Sequence, residues 1–237
     1  LSPKAIVLVA TIRALKYHGG KPLSEVAQED TEALAKGFPN LERHIKSLKS
    51  FGIPMVVSVN GFTSDTDAEK QLLKSHCEKL GVAVAFSHGW AEGGKGCLDL
   101  AEKVVEAVAQ CTAQFTPTYS LEDSVRTKIK KVCETIYGAE HVILSNKAKS
   151  QLLRYENLGY GNLPICIAKT QKSLSDDEKQ LGRPEHFDIH IREFEIAAGA
   201  GFIIPIAGNI LRMPGLPATP AAEHIDIDES GAIVGLF

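Results

Sequence analysis

Three apolar runs, AIVLVAT (5–11), MVVSVN (55–60) and VAVAF (82–86), recur at intervals through the first part of the chain. Each is continuous and rich in β-branched residues instead of alternating with polar ones, which suits strands covered on both faces. Between them lie two helical patterns, TEALAKGFPNLERHIKSLKSFG and DTDAEKQLLKSHCEKLG, the second closed by Gly81 where a helix commonly turns left-handed. Strand–helix–strand alternation of this kind specifies a parallel sheet. The predicted fold class is α/β: a mainly parallel sheet with flanking helices, followed by a smaller α+β C-terminal unit. Ligands of such sheets bind beyond the carboxyl ends of the strands. Three loops occupy that place: Thr11 to Gly20, Asn60 to Thr66, and Ser87 to Gly96.

Past about Gln110 the pattern changes. TAQFTPTYSLED is a polar connector, LEDSVRTKIKKVCETIYG and NKAKSQLLRYENLGYG read as amphipathic helices, and HVILS reads as a short strand between them. ICIAK, FDIHIREFEI and the Gly-rich AAGAGFIIPIAG follow, and HIDI with AIVGLF forms a final strand pair joined by the turn residues DESG. At 237 residues and 44% apolar content the chain can bury one large core or two smaller ones. A boundary near residue 116 fits the second option. The chain enters a buried-type strand almost from Leu1, and a three-stranded parallel sheet is thin, so the expectation is a piece of a longer polypeptide.

The formal charge of -3 provides no basic stripe for a nucleic-acid backbone, and no apolar run reaches membrane-spanning length. A soluble, cytoplasmic protein with no nucleic-acid or membrane partner is expected. The five cysteines are widely spaced and form no C-x-x-C pair. They read as reduced thiols, most of them buried, with no metal site.

The stretch FSHGWAEGGKGCLDLAEKVV follows a strand and meets the spacing G-x-x-x-x-G-K at Gly89, Gly94 and Lys95. A phosphate-binding loop requires Ser or Thr next, for its hydroxyl on Mg²⁺, but the residue is Gly96. Trp90, the only Trp, stands among glycines (Gly89, Gly93, Gly94, Gly96), where a flat ligand could approach the backbone closely. Its other reading is a ring capping the sheet edge. In the neighbouring loop, NGFTSDTDAE, Thr66 and Glu69 form a capping box, and Phe62 either packs onto the core or faces Trp90 across adjacent strand ends. Arg13, Lys16 and His18 follow the first strand and suit an anionic ligand; for Lys16 and His18 a solvated helical turn is the simpler reading. The long loops Lys169 to Pro184 and Arg212 to Pro220 fit a functional role without stating a chemistry.

Taken together, VATIRALKYHGG, KGFPNLERHI, FGIPMVVSVNGFTSDTDAE, GWAEGGKG, YENLGYGNLPICIAKTQKSLSDD, GAGF, MPGLP and VGLF resemble formate–tetrahydrofolate ligase, over essentially the whole chain. The resemblance implies an ATP-dependent ligase that formylates tetrahydrofolate at N10 through formyl phosphate, with Mg²⁺ required and a monovalent cation (K⁺ or NH₄⁺) activating. It implies that Phe62 and Trp90 sandwich the pterin ring, with Thr63 and Phe86 at pocket positions and Asn60, Asp65, Gly93, Gly94 and Arg13 nearby. It assigns residues 1–38 to the end of the large nucleotide-binding domain, 39–116 to an α/β domain carrying the folate loops, and 117–237 to a C-terminal α+β domain. The P-loop half of the family chain is absent, so the isolated chain is expected to be inactive. Formate, tetrahydrofolate, the missing N-terminal half and a homo-oligomer, often a homotetramer, are the implied partners. The alternative function is a non-catalytic folate-binding or assembly module. A dinucleotide-binding domain is the weakest reading, because no G-x-G-x-x-G follows a strand.

Overall fold

The computed structural model describes residues 2–210 and 218–235. The first part of the chain runs β1 (Ile6–Ala10), α1 (Ile12–His18), α2 (Thr31–Lys49), β2 (Met55–Asn60), α3 (Asp67–Lys79), β3 (Ala83–Ser87), α4 (Gly89–Glu92) and α5 (Leu98–Gln110). The three strands form one parallel sheet in the order β1-β2-β3, in register from Ile6 opposite Met55 to Asn60 opposite Ser87. The apolar runs thus became the strands they encode, and their carboxyl ends finish side by side. On the sheet lie Leu34, Phe38, Leu41 and Ile45 of α2, spaced as one helical face, with Ile12, Leu15, Leu73 and Cys77.

The segment after β1 is a helix where a loop was expected. Thr11 caps α1 by accepting the Ala14 amide proton at 3.0 Å. The spacing Ile12, Leu15, Lys16 then puts all three on the buried side. Lys16 is accordingly fully buried, not solvated, and pairs at 2.7 Å with the equally buried Glu69 of α3. Its ammonium also donates to Gln28 O at 2.9 Å, while Glu69 accepts the Asp30 N–H at 2.9 Å. Burial pushes the Glu69 carboxyl up, but the hydrogen bonds from Lys16, Asp30 and Thr66 and the Lys16 charge outweigh it and hold the group below its ordinary value. His18 is half-buried, and its Nδ1 accepts the Gly182 N–H at 3.1 Å.

Helices α1 and α2 cross at backbone contact. A Cβ on Gly37 would stand 1.9 Å from Leu15 O, and one on Gly19 would stand 1.8 Å from Ala33 O. Neither obstacle is a side chain that can swing away. Gly37→Ala is expected to destabilise by about 2 kcal/mol, the upper end of an overpacking cost less about 1 kcal/mol of helix propensity gained. Urea unfolding measures this, and an unchanged or raised midpoint would refute the close crossing.

The second part runs α6 (Val125–Val132), a π-helical turn (Cys133–Tyr137) ended by Gly138 at φ +85°, β4 (His141–Leu144), α7 (Asn146–Asn157), β5 (Asp188–Ala197) and β6 (Phe202–Ala207). β4 pairs parallel with β5, and β5 antiparallel with β6. Its core gathers Val125, Ile129, Leu152, Ile189 and Phe194, among others. ICIAK lies beside β6 without becoming a strand. Ile203 N bonds Pro164 O, Cys166 N bonds Ile203 O and Ala168 N bonds Pro205 O, but Pro205 has no N–H to return, so only two isolated bridges form. The final pair is a short exposed hairpin, β7 (Asp226–Ile227) with β8 (Ile233–Val234). Most of Arg212 to Pro220, including MPGLP, and the last two residues of VGLF lie outside the described residues.

The α2 helix also serves the second part. Arg43 Nη2 donates to Glu134 O and Thr135 O at 3.0 and 2.9 Å, Ser47 Oγ to Ile136 O at 2.7 Å, and Asn40 Nδ2 to Gly182 O at 2.7 Å. The carbonyls left over by the π-helical turn are satisfied from a neighbouring helix. In the loop from Lys169, the lysine ammonium donates to Thr170 O at 2.8 Å and to Ser173 O, and burial brings its pKa down to about 8. All five cysteines are free, but only Cys77 and Cys133 are buried, fewer than expected. Burial raises those two thiols to about 11 and about 12. Among the described residues no helix is long and apolar enough to cross a membrane.

Candidate functional site

The adjacent ends of β2 and β3 carry two loops that lean on each other. In the first, the Phe62 amide donates to Asp65 Oδ2 at 2.8 Å and the Asp65 amide to Phe62 O at 3.0 Å. Asp65, 6% exposed, therefore closes the turn that presents Phe62, and its Oδ1 has no hydrogen-bond partner. The capping box forms next, Thr66 Oγ1 accepting from Glu69 N at 3.3 Å and Glu69 Oε2 from Thr66 N at 3.2 Å. Glu69 thus serves α3 and Lys16 with one carboxylate. Asn60 and Thr63 are exposed, and Phe62 is half-buried.

The second loop is not an extended phosphate cradle. Gly89–Glu92 is the single turn α4, and Gly93–Cys97 continues as a 3₁₀ turn. The His88 amide donates to Gly96 O at 2.9 Å, folding the loop back on its own start. A Cβ at Gly96 would meet His88 O at 2.6 Å, so the position of the P-loop hydroxyl has no room for a side chain. At Gly61 a Cβ would fall 2.5 Å from His88 Cε1, so a side chain there would have to displace the imidazole. Gly93 sits at φ +57°, while the space around Gly93 and Gly94 is open.

Trp90 does not cap the sheet edge as a packed ring; it is 65% exposed. Its indole N–H donates to Gly61 O at 2.8 Å, which ties the Trp loop to the residue just before Phe62. No aromatic pair among the described residues joins the two rings, so neither covers the other. Phe86, one strand position before Ser87, is partly buried against the first core.

Arg13 reaches the first loop from α1. Its guanidinium carbon lies 3.9 Å from the Phe62 ring centroid, and Nη2 donates to Ser64 Oγ at 3.1 Å. No carboxylate pairs with it among the described residues. The structure therefore brings together Arg13, Phe62, Asp65, Trp90 and the glycines of the second loop. It places Lys16 and His18 away from it, one in the buried pair and the other against Gly182. His88 and Ser64 are contributors that motif spacing did not disclose. For Lys16 a signal existed, since its position repeats the apolar spacing of Ile12 and Leu15. A cleft of about 510 Å³ lies at the opposite end of the sheet, lined by Met55, Val82, Ala83 and Gln110 among others. That end is the wrong one for a parallel-sheet ligand.

Comparison with known proteins bears on this geometry. The model of the family described as formate–tetrahydrofolate ligase matches residues 1–237. A formate–tetrahydrofolate ligase of Limosilactobacillus reuteri subsp. reuteri (strain JCM 1112) is 50% identical over 236 residues, which are 99% of this chain and 42% of the relative. The chain thus spans less than half the length of that relative. With the match running from the first residue to the last, the chain belongs to the formate–tetrahydrofolate ligase family.

Proposed function

We propose that the chain supplies the folate-binding side of an ATP-dependent ligase that formylates tetrahydrofolate at N10 by way of formyl phosphate. The observation that carries this reading is the exposed Trp90 ring anchored through its N–H to Gly61, beside Phe62, at adjacent strand ends. Two ring surfaces, one anchored by its indole N–H and the other carried on a turn closed by Asp65, suit the flat pterin, each stacked face contributing about 0.5 to 1.5 kcal/mol beyond area burial. Thr63 and Asn60 line the exposed rim, Phe86 the floor, and Gly93 and Gly94 leave the approach open. The chain's contribution to catalysis is then orientation of N10, an effect that can reach about 7 to 11 kcal/mol when reactants are held in attack geometry.

In this reading residues 1–38 close a larger nucleotide-binding domain, 39–116 carry the folate loops and 117–237 form a C-terminal domain. ATP, formate, Mg²⁺ and the monovalent cation are handled by the further length that the relative possesses, in a cytoplasmic homo-oligomer. Among the described residues no group of three His, Cys, Asp or Glu could hold a metal ion.

Trp90 is the sole Trp and reports directly. Tetrahydrofolate is expected to quench its emission saturably after inner-filter correction, while ATP leaves it unchanged, and the purified 237-residue chain alone is expected to give no formate-dependent ATP hydrolysis. Absence of a saturable folate response, with the chain folded by circular dichroism, would overturn the reading.

A further inference from the structure

The Arg13–Phe62 contact has a geometry that ordinary surface arginines lack. At 3.9 Å from the centroid, the guanidinium carbon is well inside the roughly 6 Å range of cation–π attraction. The group is pinned in that place by Nη2 on Ser64 Oγ, a residue of the same turn. Its Nε is buried with no hydrogen-bond partner, and no described carboxylate neutralises the charge. An arginine held for solubility or helix stability would keep Nε in water or on an acceptor. Here the ring face is what determines where the guanidinium lies.

We propose that Arg13 is a positioning residue for the folate ring: it covers one face of Phe62, so that a flat ligand can use only the other. The proposal rests on the reading of Phe62 as one side of the pterin slot. Phe62 sits in a turn closed by Asp65, but that turn fixes the backbone and leaves the ring free to rotate about its side-chain bonds. Arg13 removes that freedom from a neighbouring element, before ligand arrives. The helix that carries Arg13 is itself fixed by the buried Lys16–Glu69 pair, so the guanidinium is delivered from a rigid support. A ring already oriented costs the ligand less ordering on binding.

The test is titration of Trp90 fluorescence with tetrahydrofolate in the full 237-residue chain, comparing the parent, Arg13→Ala, Arg13→Lys, Phe62→Ala and the Arg13→Ala/Phe62→Ala double variant. Arg13→Ala is expected to weaken binding about 3- to 10-fold with an unchanged unfolding midpoint, and Arg13→Lys, which keeps charge but not the planar cover, to recover only part of it. In the Phe62→Ala background, removing Arg13 is expected to have no further effect. Equal loss from Arg13→Ala with and without Phe62 overturns the positioning role, because the arginine would then be acting on its own. So does wild-type affinity in both Arg13 variants while Phe62→Ala binds weakly. If Phe62→Ala itself binds as the parent does, the slot reading fails, and the role given to Arg13 with it. Should Arg13→Ala fail to fold, Arg13→Lys with and without Phe62→Ala yields the same comparison.

Discussion

Lys16→Met is expected to destabilise the protein by about 3 to 5 kcal/mol, the usual cost of leaving one member of a buried ion pair without its partner. Both side chains are wholly inaccessible, so water cannot take over the hydrogen bonds that Glu69 loses. The damage is not confined to α1. The same carboxylate caps α3 and accepts the Asp30 N–H, so an unneutralised charge disturbs three segments at once. Denaturant unfolding measures the loss, and Lys16→Met/Glu69→Met is expected to regain only part of it, because two apolar groups need no desolvation but the Asp30 and Thr66 N–H groups lose their acceptor. A loss below about 1 kcal/mol would show that the pair is solvated in solution. Acid provides an independent check. The folded-state pKa of Glu69 is depressed, so its contribution is fully present above the ordinary value of 4.5 and is lost as pH falls through the folded value. Below pH 4.5 the parent should therefore lose stability more steeply than Glu69→Gln, which has no carboxyl to protonate.

Trp90→Ala is expected to weaken tetrahydrofolate binding by about 2 to 3 kcal/mol at most, the stacking contribution together with the apolar area no longer covered. Because the ring is 65% exposed, its removal leaves no core cavity, and the unfolding midpoint should hardly move. In an enzyme assembled with its remaining length, the loss should fall on KM for folate and spare KM for ATP if, as proposed, the indole holds the pterin and not the nucleotide. Phe62→Ala should act similarly, and the pair should be less than additive if both hold one ring. A stable Trp90→Ala protein with parental folate affinity would remove the indole from the site.

What the residues disclosed in advance was whatever depends on local pattern. The three apolar runs gave strands within a residue of their observed ends, and Thr66-x-x-Glu69 gave a capping box, because each requires only neighbours in the chain. ICIAK has the composition of a strand, but the proton that would complete its ladder is missing from Pro205, some 40 residues on. Lys16 looked solvated because charge is normally a surface property, and only the position of Glu69 makes its burial possible. The site was legible to the level of its loops and rings. The stack of Arg13 on Phe62 and the packing of His88 against Gly61 and Gly96 were not, since both arise where separate strand ends converge.

The first helix carries a consequence of its own. Arg13 near its beginning touches Phe62, and His18 at its end receives the Gly182 N–H from the C-terminal part. Seven residues are too few to bend, so the helix acts as a ruler: the two contacts stand about 7.5 Å apart along its axis and at a fixed angle around it. One residue inserted between Arg13 and His18 would turn one contact about 100° away from the other. The length of α1 is therefore set by two partners at once, and it cannot drift by a residue without surrendering one of them.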